Sequence, residues 1–222
     1  VGAVQAALAR HAVRSDATAP TPMPLLAARV AAMLDRALEA PLVIDARAPP
    51  LRLRELPASR RVAELAFHFA LRDASLRALR AACERHGEPA LVPPGGIDRL
   101  DGWMEGSIDL VFEHGGRAHV LDWKGNDLAN AAAATPQALV GLMDQHHYRF
   151  QALLYSVALH RLLRQRLGAS YRIGEHLGAP VYVFLRAAGL APGLGCWTQH
   201  FPETLIEAVD AALAGTAMGV PE

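Results

Sequence analysis

Asp109, Asp122 and Lys124 are the residues whose types and spacing could do chemistry together. Lys124 is the only lysine in the chain; every other basic position is arginine. Arginine is a planar, permanently charged fork, whereas lysine is a compact ammonium that can approach a single oxygen. A sequence that uses arginine everywhere else has reason to keep lysine here, unless the arginine bias simply left one lysine by accident. Two strand-like segments flank His114-Gly115-Gly116-Arg117, and a two-residue Gly-Gly turn is a favoured hairpin connection because glycine accepts positive φ angles. With that turn, His114 faces Arg117, and outward counting sets Asp109 opposite Asp122. Carboxylates facing each other across a ladder have Cβ atoms about 5 Å apart and repel, which a hard divalent cation would turn into a binding site. Lys124 follows Asp122 by two and so shares its face of the strand. Two carboxylates, a cation and an ammonium suit phosphodiester hydrolysis, by polarising the phosphoryl oxygen and activating water. A turn one residue earlier would slip the register and leave the aspartates diagonal. A surface Asp-Lys pair beside a solvated Asp109 is the bland alternative.

The elements that must position these residues are legible in the hydrophobic pattern. A proline-broken patch, Ala19-Pro20-Thr21-Pro22-Met23-Pro24, separates two helical stretches. In the second, Leu25 to Leu38, the residues Leu26, Val30, Met33, Leu34 and Leu38 have the spacing of one buried helix face. Ala63, Leu65, Phe67, Phe69 and Leu71 alternate with Val62, Glu64, Ala66 and His68, a period of two that predicts a strand. Glu64 reads as a solvated strand carboxylate. Ser75 to His86 predicts a short amphipathic helix stopped by Gly87. Ala131 to Ala134 predicts a mobile loop leading into a helix. With 222 residues and 52% hydrophobic content, one well-filled domain is expected. Cys83 and Cys196 are too few and too scattered for a disulfide framework or thiolate site, and read as buried small hydrophobes of a cytoplasmic protein. No apolar run reaches the roughly 20 residues that span a bilayer. The chain opens at Val1 without a leader pattern and reads as a piece of something longer. Its 22 basic and 22 acidic residues cancel, which argues against tight autonomous binding of a polyanion.

Gly106-Ser107-Ile108-Asp109-Leu110-Val111-Phe112, followed by Leu121-Asp122-Trp123-Lys124-Gly125-Asn126, resembles the signature of RecB nuclease domains, members of the PD-(D/E)xK superfamily. His147-Tyr148-Arg149-Phe150-Gln151 and Leu154-Tyr155-Ser156-Val157-Ala158-Leu159-His160-Arg161 resemble that family's next helix, and Val181 to Arg186 its following strand. The resemblance covers most of the chain from about Arg60 onward. It implies an α/β, restriction-endonuclease-like core with a central mixed sheet flanked by helices, including those around Gln137 to Met143 and Gln145 to Arg166. Such a sheet would bury Ile108, Leu110, Val120 and Leu121. Residues 1–57 would form a helical N-terminal arm and 58–222 the nuclease core, together one domain. It further implies that Asp109, Asp122 and the Trp123 carbonyl hold a metal, Mg²⁺ with Mn²⁺ as the alternative. Lys124 would be catalytic, and Gln151 and Tyr155 would position DNA. Gly125 stands where the family has serine, Trp123 replaces tyrosine, and Arg149 replaces an acidic residue. The family's histidine ligand has no match at His11 and is expected upstream of this chain. The implied partners are single-stranded DNA, RecC-like and RecD-like subunits, and a RecA-like recombinase. The implied role is cutting the strands a helicase releases during double-strand-break repair; a catalytically silent docking module is the alternative.

Overall fold

The hairpin anticipated at Gly115-Gly116 is the spine of the computed structural model, which describes residues 1–11 and 21–215. Strands β2 (Arg99–His114) and β3 (Arg117–Lys124) pair antiparallel from His114↔Arg117 to Leu110↔Leu121, the predicted register. The turn closes because Gly115 and Gly116 take φ of 58° and 78°, left-handed values that only glycine adopts without strain. A slipped turn is therefore excluded.

Around this hairpin the chain builds a five-stranded mixed sheet whose strands lie side by side in chain order. Strand β1 (Arg61–Ser75) pairs antiparallel with β2, and β4 (Val181–Phe184) runs parallel to β3. Strand β5 (Cys196–Thr198) closes the far edge antiparallel to β4. Joining parallel neighbours needs a crossover, and helices α4 (Pro136–Gln145), α5 (Tyr148–Leu167) and α6 (Ile173–His176) supply it. Gln145 thus ends α4 rather than opening the next helix. His147 has a left-handed backbone (φ 56°), so the chain turns there before α5 begins. Ala131–Ala133 form a 3-10 turn and Ala134 is buried, where the sequence predicts a mobile loop; Asn130 accepts a hydrogen bond from the Ala132 N–H and fixes the turn.

Both faces of the sheet are covered, so β4 is buried at all four positions. One layer packs Val120, Tyr182 and Phe184 against α3 (Leu76–Arg85), α4, α5 and α7 (Glu203–Leu213). The other packs Leu110, Leu121, Val181 and Val183 against Ala37, Leu42 and Leu53 of the N-terminal segment. Ile108, Leu110, Val120 and Leu121 are buried as predicted, and both cysteines are buried and free. Helix α3 starts at the Ser75 cap, whose Oγ accepts from the Ala78 N–H, and the chain leaves it at Gly87 with φ 76°. Helix α1 (Gly2–Arg10) buries no residue. In α2 (Met23–Glu39) the predicted face Leu26, Val30, Met33, Leu34 and Leu38 is only half-buried. The helix buries Ala27, Ala31 and Ala37 instead, because small side chains let it approach closely. Ala19 and Pro20 of the proline-broken patch lie outside the described residues.

Candidate active site

Strand β2 changes character at Asp109. Ile108 packs in the layer of α5, whereas Leu110, two residues on, packs in the opposite layer. On β1, Leu65 is paired with Ile108 and Ala63 with Leu110, but Glu64, between them, has a left-handed backbone (φ 51°) and no ladder partner. Both strands therefore swap faces at this level, a local kink of the kind that re-aims a side chain. The kink falls where the β2–β3 ladder ends, one step short of Asp109 and Asp122. Glu64 itself is exposed and receives the Ser107 hydroxyl at 3.4 Å, as expected of a solvated carboxylate.

Asp109 is half-buried, and its Oδ2 accepts the Trp123 N–H at 2.8 Å, which ties β2 to β3 where regular pairing has stopped. Asp122 is 5% exposed and Lys124 8% exposed, so their 2.6 Å ion pair is a buried one. Burial raises the Asp122 carboxyl above its ordinary value, the Lys124 hydrogen bond and charge pull it down, and Asp109 pushes it up again. Burial dominates, so one lysine does not fully compensate this carboxylate.

Helix α5 delivers the rest of the site. Lys124 Nζ donates to Gln151 Oε1 at 3.0 Å, and the Gln151 amide donates to the Tyr155 hydroxyl at 2.9 Å. The Tyr182 hydroxyl donates to the same Gln151 oxygen at 3.1 Å. Burial raises the Tyr155 and Tyr182 hydroxyl pKa values, and the Asp122 charge adds to it, so both stay protonated. The structure thus brings Asp109, Asp122, Trp123, Lys124, Gln151 and Tyr155 together at one end of the β2–β3 hairpin, under the N-terminal half of α5. Sequence reasoning assigned nothing to Tyr148 and Tyr182. Lys124 Nζ lies 3.8 Å from the Tyr148 ring centroid and 5.0 Å from that of Tyr182. Tyr148 was visible as the first residue of α5, three before Gln151, whereas the position of Tyr182 opposite Asp122 depends on the parallel register.

Arg149 points elsewhere. It bonds Glu88, Gln199 (2.9 Å) and Asp144 (3.2 Å), clamping α4, α5 and the segment after β5. At Gly125 an added Cβ would meet nothing within 4 Å, so packing does not demand the glycine. His11 is exposed at the end of α1. Among the described residues, no three or more His, Cys, Asp or Glu side chains gather as a metal cluster. Two carboxylates supply oxygen donors alone, which fits a small hard cation that retains waters and shares itself with a substrate phosphate.

A hairpin carrying Asp109 and Asp-x-Lys, in the middle of a mixed sheet and under a helix bearing Gln151 and Tyr155, defines a class of metal-dependent nuclease sites. The chain belongs to the PD-(D/E)XK nuclease superfamily, whose family pattern matches residues 3–216. It is 34% identical over 170 residues, 75% of this chain, to RecBCD enzyme subunit RecB of Escherichia coli. It is 36% identical over 115 residues (51%) to the RecB subunit of Haemophilus influenzae and 34% over 163 residues (63%) to that of Mycolicibacterium smegmatis. The matched stretches span 14%, 9% and 15% of those proteins, so the relatives are far longer than this chain. No helix among the described residues is long and apolar enough to cross a membrane.

Proposed function

We propose that this chain is a metal-dependent deoxyribonuclease domain that cuts single-stranded DNA produced by an attached helicase in recombinational repair. The observation that carries the reading is the convergence of the two aspartates and the only lysine beside Gln151 and Tyr155. Asp109 and Asp122, with the Trp123 carbonyl, would hold the cation, Mg²⁺ or Mn²⁺. When bound, such an ion stabilises charge on the phosphoryl group and lowers the pKa of a water. Lys124 carries the second positive charge and presents N–H groups to the attacking water or to the phosphate oxygens. Gln151 fixes the direction of that ammonium through its Oε1, while its amide and the Tyr155 hydroxyl offer polar contacts to the strand being cut. The two-sided packing of the sheet supports residues 1–57 and 58–222 acting as one domain, since Ala37, Leu42 and Leu53 share a cluster with Phe112 and Val181.

Zero formal net charge fits a domain to which DNA is delivered. The similarity to RecB subunits supports RecC-like and RecD-like partners, with a RecA-like recombinase as a further one. The silent-module alternative draws on one observation, that the described carboxylates near the site number two and no histidine joins them. Incubation of the chain with end-labelled single-stranded oligonucleotide and Mg²⁺ or Mn²⁺ separates the readings. Cleavage that falls below a few per cent in Asp122→Ala is expected; cleavage with neither ion, or cleavage surviving Asp122→Ala, overturns the assignment.

A further inference from the structure

Lys124 sits in more than a hydrogen-bonded niche. Its ammonium has one ring face 3.8 Å away, Tyr148, and a second 5.0 Å away, Tyr182, with the two ring centroids 6.1 Å apart and tilted by 32°. Each ring is fixed from behind. Tyr148 stacks on His146 at 5.2 Å with 16° between planes, and its hydroxyl donates to Asn126 Oδ1 at 3.3 Å. Tyr182, completely buried, meets Trp197 edge-on at 5.8 Å and donates to Gln151. The left-handed turn at His147 ends α4 and starts α5 so that Tyr148 faces β3.

We propose that Tyr148 and Tyr182 are positioning residues, two aromatic walls that hold the Lys124 ammonium at the point where Asp122 and Gln151 meet it. An ammonium over a ring face is attracted by the ring quadrupole, the more so when both are withdrawn from water. Between the two rings the ammonium directs its hydrogen bonds to Asp122 Oδ2 at 2.6 Å and Gln151 Oε1 at 3.0 Å. The walls also give a reason for lysine here, because a cage closed around a compact ammonium does not accommodate a broad planar guanidinium. The inference deepens the nuclease reading and rests on it for its catalytic meaning, but not for its geometry.

The composition makes the test unusually clean. Because Lys124 is the only lysine, uniformly ¹³C,¹⁵N-lysine-labelled protein gives a single lysine Cε–Hε signal. Protons held over ring faces are shifted upfield, so that signal should lie well upfield of free lysine. Tyr148→Phe should keep the shift and nearly all cleavage, and Tyr148→Leu should lose much of the shift and about tenfold in kcat, with KM for DNA little changed. In a Lys124→Ala background, Tyr148→Leu should cost nothing further. A wild-type signal at the free-lysine position overturns the cage, and so does a shift unaffected by Tyr148→Leu or lost in Tyr148→Phe. The wild-type spectrum decides even if a variant does not fold. An upfield signal in a protein that cleaves no DNA would refute the nuclease reading and leave the cage standing.

Discussion

Replacing Lys124 by arginine keeps the charge and changes only its shape, so it isolates what the site requires of this residue. In the wild type, Nζ is held by Asp122 at 2.6 Å, Gln151 at 3.0 Å and the Tyr148 ring at 3.8 Å, in a niche that leaves the residue 8% exposed. A guanidinium brings a planar fork into that space, and overpacking of this kind costs about 1–3 kcal/mol. Alanine errs in the other direction, leaving the Asp122 carboxylate buried without its partner at a cost of about 3–5 kcal/mol. At roughly 2–4 °C per kcal/mol for a chain of this size, Lys124→Ala should melt around 10 °C below wild type in metal-free buffer and Lys124→Arg only a few degrees below. Activity should not follow stability. Loss of a positioned transition-state donor costs about 10²–10³ in kcat, and both variants lose it, so both should fall by that factor on a single-stranded oligonucleotide with saturating divalent ion. Melting curves and single-turnover cleavage on the same preparations give the comparison. An arginine variant with near wild-type kcat would show that charge alone suffices, and that the lone lysine is an accident of composition.

A divalent ion bound only by the folded state should raise the melting temperature with concentration as RT ln(1 + [L]/Kd). Asp109→Asn should erase that rise in Mg²⁺ and Mn²⁺ titrations, and a rise that survives would place the metal elsewhere. Away from the site, burial pushes the Asp210 carboxyl up, but His160 at 3.8 Å, the hydrogen bond from Arg161 and the charges of Arg161 and Arg164 outweigh it and hold the group well below its usual range. A depressed carboxylate contributes stability that is fully present above its unfolded value near pH 4 and is lost as pH falls through the folded one. Asp210→Asn should therefore cost about 3 kcal/mol at pH 7, the low end of the range for breaking a buried pair because Arg164 is half-exposed, and less at pH 3. Urea unfolding at the two pH values would show equal deficits if the network were not electrostatic.

Much of this site was legible because its determinants are local. Gly115-Gly116 forces the turn, the turn fixes the register, and the register brings Asp109 to the level of Asp122. The strand at Leu65 to Leu71 and the helix after Ser75 were likewise set by short-range periodicity and capping. Three features were not legible. The kink at Glu64 uses a residue with no intrinsic preference for a left-handed backbone, so it is imposed by packing on both sheet faces. The buried face of α2 is drawn by alanines, which carry too little hydrophobic signal to outvote the larger residues beside them. Tyr182 joins the site only because β4 runs parallel to β3 with Tyr182 opposite Asp122, a register set by a crossover of more than fifty residues rather than by any turn.

The kink and the cage answer one physical problem. A regular ladder would place Asp109 and Asp122 face to face with no positive charge between them and both backbones occupied by pairing. Ending the ladder at Leu110↔Leu121 releases the Trp123 N–H, which Asp109 accepts, and leaves Asp122 to Lys124. Each carboxylate then has one donor of its own, and Lys124 does not fully offset the burial of Asp122, whose carboxyl stays raised. That residual demand for positive charge is what a cation would meet. Lys124 already meets Asp122 through Oδ2 at 2.6 Å; held there between Tyr148, Tyr182 and Gln151, it is kept from swinging across to Oδ1, the oxygen left for a cation. Loosening the cage should thus weaken metal binding as well as slow cleavage. Tyr148→Leu should need a higher Mg²⁺ concentration for half-maximal thermal stabilisation, whereas Lys124→Ala, which removes the competitor, should need less. A lower Mg²⁺ requirement in Tyr148→Leu than in wild type would refute the idea that the rings keep the ammonium from the metal's place.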